Sequence, residues 1–598
     1  MGPLSLRVLP PRPRVPVSSP PFALLGVHRP DARGPPVITD THALIAEVAT
    51  GVQTAQIRHL FNDIPLVVFT PVSVPVLRHA LASHPDRNLV DFVLQGFTFG
   101  FDIGFRGLGV PSRPNNLRSA RNNSQAVTDA ICKEITRGHT AGPFQAAPLD
   151  GLHCSPLGSA PKKDGSVRLV LDLSSPRGWA INEDISRDNF SVVYSSFDDA
   201  VRMVGQLGSD VFMAKIDIRH AFRLCPVRLD QIHLLGFRWL SWFFVDLRLP
   251  FGSRSSPFIF SQFADLLAWV LINVVRIAFL LHYLDDFFLA ARSQSLCQRY
   301  MTAMLDFCHA AGIPIAHDKT VGPSSRITYL GIEIDAVQQQ VRLPDDKLVE
   351  IQELVKSWTT RRKATKRELL SLIASLSFAA KVVQPGRLFL RRLIDLSTVA
   401  SSLSHHIYIN NEARADIMWW HRFLRQWNGI QMFCIDSLSS IDLELATDAS
   451  AIGIGAVCGS AWFSAPLPPS FVAFHINTLE LFAVFAAVVT WGRQWAGRRV
   501  LIFTDNSCVV QVASSGTCKD KDMMRILREL FFFTAEHKFR LSFRHIPGIN
   551  NCHADSLSRL QVRRFLQLSP QANEHPVITP AWIWHIFDDN DKHISSNR

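Results

Sequence analysis

The sequence predicts a multidomain protein of mixed α/β and α+β class, on three observations. Short apolar, aromatic-rich runs that end on a carboxylate recur along the chain, with the length and composition of strands. Other stretches place apolar residues at helical spacing, as at Leu348, Ile351, Leu354 and Val355. The 598 residues are too many for one hydrophobic core and argue for about four domains.

The most informative stretch is 282–288, His-Tyr-Leu-Asp-Asp-Phe-Phe. Asp285 and Asp286 stand between apolar runs at 277–281 and 287–291, which read as strands with the acidic pair at the tight turn between them. A lone Asp-Asp at a hairpin tip is ordinarily solvated. Here a third carboxylate, Asp217, ends a similar run upstream. Burying such groups beside hydrocarbon costs on the order of several kcal/mol unless something positive neutralises them. A divalent cation would do so, since Mg²⁺ takes hard oxygen ligands and often holds a substrate phosphate as well.

Residues 283–286, Tyr-Leu-Asp-Asp, resemble the YxDD box of reverse transcriptases, and residues 217–222 resemble their DxxxAF box. The separation of 68 residues (217 to 285) suits the palm of such polymerases. The resemblance implies a right-hand fold of fingers, palm and thumb. It also implies that Asp217 and Asp285 bridge two metal ions with Asp286 in support, the ions activating the primer 3′-OH and stabilising the leaving pyrophosphate.

Further residues carry over by motif. Residues 162–174 form a basic hairpin with Asp164-Gly165 at the turn. It resembles the family's fingers, where Lys163 and Arg168 would hold the incoming nucleotide, the arginine through a bidentate fork. Phe222 falls on the bulky gate that packs under the sugar and rejects a 2′-OH; it is also a natural core aromatic. Residues 249–262 resemble the LPFGxxxxPxxFQ box that cradles template and nucleotide, which assigns Phe251 and Gly252. The family's Gln falls on Ser261, so that role is not carried over. An apolar helix is expected over 263–275, its start preset by proline. Lys319 matches a lysine near the triphosphate that serves as a general acid. Residues 329–335 look like the primer grip, with Leu330 and Gly331 in that role. Residues 346–395 read as thumb helices. Their cations, among them Arg361, Arg367, Arg387, Arg391 and Arg392, would track a duplex backbone or form a solvated face. Trp419, Trp420 and Trp427 close a connection segment.

A second catalytic unit begins near residue 440. The order β-β-β-α-β-α suits a small mixed sheet, with Asp448 and Asp505 at strand ends and Glu480 at a helix start. With His545 and Asp555 further on, these residues resemble ribonuclease H. The resemblance assigns Asp448, Glu480, Asp505 and Asp555 as ligands of two metals, and His545 as a mobile histidine for proton transfer or product release.

The implied chain is a right-hand polymerase followed by a ribonuclease H-like mixed β-sheet. The expected divisions are a disordered Pro/Arg-rich tail (1–40), a region without an assigned role (41–115), fingers and palm (116–345), thumb and connection (346–438), ribonuclease H (439–565) and a C-terminal tail (566–598). Details at 142–144, 173–176 and 554–559 look most like DIRS-type retroelements, with gypsy-type elements as runner-up. The implied cofactor is Mg²⁺ (or Mn²⁺), two per site. The implied partners are RNA template, DNA primer, RNA/DNA hybrid and dNTPs, with a recombinase or integrase encoded separately by the element. A domesticated or inactivated nucleic-acid-binding relative is the alternative from another class.

The composition agrees. A net charge of +11 and a pI near 9.3 fit an anionic partner. The ten cysteines form no CxxC pair, zinc knuckle or disulfide framework, which fits reduced thiols in an intracellular protein, cytoplasmic or nuclear. The Pro-rich N-terminus carries no signal peptide. Residues 266–284 are interrupted by Asn273, Arg276 and His282, so a buried helix and strand are expected there and no membrane partner. P-loop NTPases and hydrolases with a Gly-x-Ser-x-Gly elbow gain nothing, as neither motif occurs.

Overall fold

In the computed structural model the described residues are 69–588, save 163–164, 209, 384–385, 427–430, 433–441, 497, 517 and 538. The expected 1–40 tail, Lys163 and Trp427 lie outside them.

Helices α1 (Val74–Ala80) and α2 (Arg87–Phe99) come first, α2 capped by the Asp86 side chain on Leu89 N–H. Phe97 of α2 meets Phe263 with ring centroids 5.0 Å apart. The described part of the stretch left without a role thus shares the hydrophobic core of the palm. Next come α3 (Arg118–Asn122), α4 (Ser124–Thr136), β1 (Thr140–Phe144) and the hairpin β2 (Leu157–Pro161) with β3 (Val167–Leu171). Helix α5 (Phe197–Leu207) opens on a Ser196/Asp199 capping box.

The palm is built from β4 (Phe212–Asp217), β5 (Gly236–Trp239), β6 (Trp242–Asp246), α6 (Ser256–Asn273), β7 (Leu280–Tyr283), β8 (Asp286–Ala291), α7 (Gln294–Ala310) and β9 (Val321–Ser324). Its central sheet has the order β7-β8-β4-β9, and a second sheet has the order β1-β6-β5. Strand β8 is buried on both faces: Phe287, Leu289 and Ala291 enter one core, Phe288 and Ala290 the other. Helix α6 starts seven residues before the expected 263, because Pro257 sits in its first turn. By length and composition it could cross a membrane, but 61% of its apolar window is buried in the protein. The stretch 266–284 is helix then strand, as expected.

After the palm sheet come β10 (Arg326–Tyr329), β11 (Ile332–Asp335) and β12 (Gln340–Arg342), then, across the 346–438 span expected as thumb and connection, α8 (Asp345–Trp358), β13 (Lys363–Thr365), α9 (Lys366–Ala379), α10 (Arg391–Thr398), β14 (His406–Tyr408), α11 (Asn411–Gln426) and β15 (Gln431–Met432). Strands β10, β11, β12 and β15 form one sheet and β13 pairs with β14.

The last unit is β16 (Leu443–Ala449), β17 (Gly453–Cys458), β18 (Ala461–Pro466), α12 (Ile476–Trp491), β19 (Arg499–Thr504), α13 (Ser507–Ser515), α14 (Lys521–Glu536), β20 (Arg540–His545), α15 (Cys552–Ser558) and α16 (Val562–Leu568). Its sheet runs β18-β17-β16-β19-β20, antiparallel through β16 and parallel beyond it. The expected β-β-β-α-β-α order is present, with α14 and β20 added before α15. Helix α12 is apolar all round and almost wholly buried, which is why it shows no polar stripe. Part of that cover comes from the span expected as a C-terminal tail. Residues 569–588 fold back, with Trp462 Nε1 donating to the Asn573 carbonyl at 2.7 Å. The rings of Trp582, Trp584 and Phe587 close over Phe485, Phe482 and Phe474.

Candidate active sites

The antiparallel ladder of β4 and β8 sets Asp217 directly opposite Asp286. Strand β7 turns into β8 through Leu284, at φ +53°. Asp285 rides on that turn, its carbonyl accepting from Ile218 N–H at 3.0 Å. Three distant carboxylates thus meet at one end of the palm sheet. Lys319 Nζ lies 3.2 Å from both Asp217 carboxylate oxygens. Lys215 Nζ stands 3.8 Å from Asp286 Oδ1, which is buried and accepts no hydrogen bond. Burial, then the charge of Asp217, pushes the Asp285 carboxyl up to about 6. Burial also raises Asp286, against the pull of Lys215. The two lysines leave the site short of positive charge, as expected of a place that receives a cation.

Beside the acids, Phe222 meets Phe251 and Phe260 with centroids 5.2 and 5.9 Å away. The Arg168 guanidinium lies over Phe251, 4.7 Å from its centroid. Gly252 sits at φ +114°, and a Cβ there would collide with the Leu171 carbonyl of the fingers hairpin. Leu171 N–H donates to the Phe251 carbonyl at 2.9 Å, and Asn182 Nδ2 to the Gly252 carbonyl at 2.9 Å. In the protein alone, glycine is required by the hairpin's approach, where the motif pointed to a ligand. Leu330 and Gly331 form the β10–β11 turn, at φ +48° and +80°.

A cleft of about 840 Å³ opens beside Tyr283 and Leu330. Its lining includes Leu330, Tyr283, Tyr194, Lys381 and Arg387, with Ser514–Gly516 and Phe543 on the far wall. The ring of Tyr194 lies tilted at 33° against Tyr283, centroids 4.8 Å apart. Other expected thumb cations are engaged elsewhere: Arg361 with Glu368, Arg391 with Asp395, Arg392 with Asp416. Tyr194 and Lys381 escaped sequence reasoning, because neither lies in a box with a recognisable spacing.

The second centre forms where the parallel strands β16 and β19 end. Asp448 lies in β16, Asp505 follows β19, and Glu480 sits in the second turn of α12. One oxygen from each comes within 4.8 Å of the others. Burial, then the charges of Asp448 and Asp505, pushes Glu480 up to about 9. Burial raises Asp448 to about 6, although Ser558 Oγ donates to its Oδ2 at 2.5 Å. Glu480 Oε2 is buried without a partner. Asp555 stands outside this group of three, its Oδ1 held by Arg559 Nε at 2.7 Å. The ring of His545 is exposed, its Nε2 3.0 Å from the Asp505 carbonyl. Ser558 was missed, although it lies one helical turn beyond Asp555 on the same face. Three crowded carboxylates with an unsatisfied buried oxygen fit a hard divalent cation.

Residues 160–334 match the family model described as reverse transcriptase (RNA-dependent DNA polymerase). The chain carries a reverse transcriptase domain. That domain runs from the end of β2 into β11 and contains the first acid cluster, Lys319 and the Leu330–Gly331 turn. The chain is 20% identical over 500 residues to the Transposon Tf2-3 and Tf2-7 polyproteins of Schizosaccharomyces pombe (strain 972 / ATCC 24843). Each alignment covers 78% of this chain and 33% of the relative, so the chain spans about a third of the curated relatives' length. Among solved structures, the foamy viral protease-reverse transcriptase in complex with RNA/DNA hybrid is similar at 16% identity and a TM-score of 0.43, covering 79% of this chain and 62% of that one. The same protein in complex with dsDNA is similar at 15% identity and a TM-score of 0.42, covering 81% and 99%.

Proposed function

We propose that the chain copies RNA, and then DNA, into DNA from a primer with dNTPs, and that its second acid cluster cuts the RNA strand of RNA/DNA hybrids. The observation that carries the reading is Asp217 directly across the ladder from Asp286, with Asp285 on the turn beside them, inside the reverse transcriptase domain. Asp217, Asp285 and Asp286 would hold two Mg²⁺ or Mn²⁺ ions, and Asp448, Glu480, Asp505 and Asp555 two more. Bound there, the metals supply an activated nucleophile and neutralise charge on the leaving group. The unpartnered oxygens of Asp286 and Glu480 and the raised carboxyl pKa values support this assignment.

The chain's own groups do the rest. Lys319, beside Asp217, gives a proton to the leaving pyrophosphate. Arg168 meets the triphosphate, with Lys163 as its partner on the hairpin. The Phe222 ring, backed by Phe251 and Phe260, fills the space a 2′-OH would need. Leu330 and Gly331 hold the primer end, Leu330 in the cleft it shares with Tyr283. His545 moves protons or releases product at the second centre. The chain belongs with a retrotransposon polyprotein; the residues at 142–144, 173–176 and 554–559 favour the DIRS type over the gypsy type. It works inside the cell, in cytoplasmic particles or the nucleus.

The test is primer extension on poly(rA)/oligo(dT) with Mg²⁺. Wild type extends and cuts, Asp285→Asn stops extension, and Asp448→Asn spares the RNA strand while extension continues. Folded wild type that binds the hybrid but neither extends nor cuts would leave a nucleic-acid-binding protein without catalysis.

A further inference from the structure

The turn that carries Phe222 is fastened by an ion-pair network that the acid-centred reading does not use. Arg223, the next residue, is 6% exposed. Its Nη1 lies 2.9 Å from Asp246 Oδ2 and its Nε 3.2 Å from Glu134 Oε2. Asp246 is 2% exposed and also accepts Thr140 Oγ1 at 2.6 Å. A buried forked cation between a buried Asp246 and a half-buried Glu134 forms a geometry that a guanidinium satisfies and an ammonium does not.

The position of this network gives it a consequence. Glu134 lies on α4 and Asp246 ends β6, so Arg223 bolts the 220–224 turn to two elements far away in sequence. The chain leaving Asp246 reaches Phe251 five residues later, and Phe251 is the ring that faces Phe222 at 5.2 Å. One ion pair therefore ties together the two backbone segments whose aromatic rings bound the sugar pocket. On the other side of Phe222, the backbone is pinned by the Arg223 N–H to His220 carbonyl bond, 2.6 Å, with His220 held at φ +64°.

We propose that Arg223, through Asp246 and Glu134, is a positioning residue for nucleotide selection: it sets the Phe222 ring against Phe251 and so fixes the discrimination between deoxy- and ribonucleotides. The proposal rests on the polymerase reading above. Arg223 touches no substrate, so it acts on selectivity through the ring. Loosening the network lets Phe222 give way, and a ribose then enters at less penalty.

The experiment is single-nucleotide incorporation of dGTP and GTP opposite rC in a primed RNA template, for wild type, Arg223→Lys, Thr140→Val, Phe222→Ala and the Phe222→Ala/Arg223→Lys pair. Arg223→Lys keeps a buried cation but loses the fork, and Thr140→Val removes one bond to Asp246. Both are expected to lower the dGTP/GTP ratio of kcat/KM, by about tenfold and a few-fold respectively, mainly through the KM terms, with kcat for dGTP nearly kept. A residue acting through Phe222 adds nothing once the ring is gone, so the double variant should match Phe222→Ala alone. Unfolding by circular dichroism removes Arg223→Lys from the comparison, and Thr140→Val then decides. An unchanged ratio in the folded variants, or a double variant that loses further selectivity, overturns the proposal while the polymerase reading stands. A wild type that incorporates neither nucleotide overturns both.

Discussion

Asp416 of α11 and Arg528 of α14 meet 3.1 Å apart in a setting where Asp416 is only 1% exposed. Burial pushes the Asp416 carboxyl up to about 6 although Arg528 and Arg392 both pull it down. Burial likewise lowers Arg528. For both partners desolvation outweighs mutual attraction, so the pair joins the two helices without stabilising them much. Removing Arg528 leaves the buried Asp416 with only Arg392, 3.6 Å away, and removing Asp416 leaves Arg528 buried without its carboxylate. Arg528→Met is expected to lower stability by about 3–5 kcal/mol, and Asp416→Leu/Arg528→Met to recover most of that loss. Urea unfolding of the four proteins measures it; additive losses would mean the two residues are uncoupled.

The acid clusters predict an unusual pH profile for the metal-free protein. Glu480 is raised to about 9, and Asp448 and Asp285 to about 6, from ordinary values near 4. A carboxyl raised by folding contributes stability below its unfolded pKa and loses it as pH climbs through the folded one. Thermal stability in EDTA should therefore fall from about pH 4 to 6 as the aspartates ionise, and further toward pH 9 through Glu480. Because Mg²⁺ would replace those protons, its gain in Tm should be larger at pH 8.5 than at pH 6. An equal gain at both values would argue against the clusters as metal sites.

Glu480→Gln removes the strongest of these strains while keeping the side chain's size. At pH 8.5 in EDTA it should raise Tm by roughly 2–6 °C, abolish hybrid cleavage and leave primer extension intact. A lowered Tm would mean that the carboxylate is satisfied by partners within the fold.

Lys319 bonds both oxygens of Asp217, the atoms a metal would take. Lys319→Met should lower the half-saturating Mg²⁺ concentration for extension while reducing kcat by about 10²-fold through loss of a proton donor. Steady-state rates across an Mg²⁺ series separate the two effects, and an unchanged Mg²⁺ dependence would show that the lysine does not compete.

Tyr194 extends the aromatic floor that Tyr283 begins. Tyr194→Ala should weaken primer–template binding by about 1–3 kcal/mol, with Tyr194→Phe near wild type, since a ring suffices for stacking on a base or sugar. Filter binding at fixed salt gives the answer; weakening in both variants would point to the hydroxyl.

Chemistry left its mark locally, and long-range fastening did not. Asp217, Asp285, Asp448 and Asp505 were legible because each interrupts an apolar strand where a charge is otherwise expensive. The palm strands and α12 were legible for the same reason, as runs too apolar to face water. Arg223 with Glu134 and Asp246, and Asp416 with Arg528, were not. Their partners lie tens to more than a hundred residues away, and a buried arginine looks in sequence like an exposed one. The fold-back of 569–588 escaped because its aromatics follow a run rich in prolines and polar residues (569–580), which reads as a tail until Phe474, Phe482 and Phe485 supply the other half of the contact.

The bond from Ser558 to Asp448 spans 110 residues and closes the second cluster from its C-terminal side. The strands of the palm sheet that carry its three acids are all present by β9 at residue 324. A chain emerging from the ribosome therefore completes the two centres in a fixed order. The one assigned to synthesis can form while the one assigned to destroying the template still lacks its last helix. Translation itself thus imposes a sequence of events: the tool for reading an RNA can be assembled before the tool for erasing it.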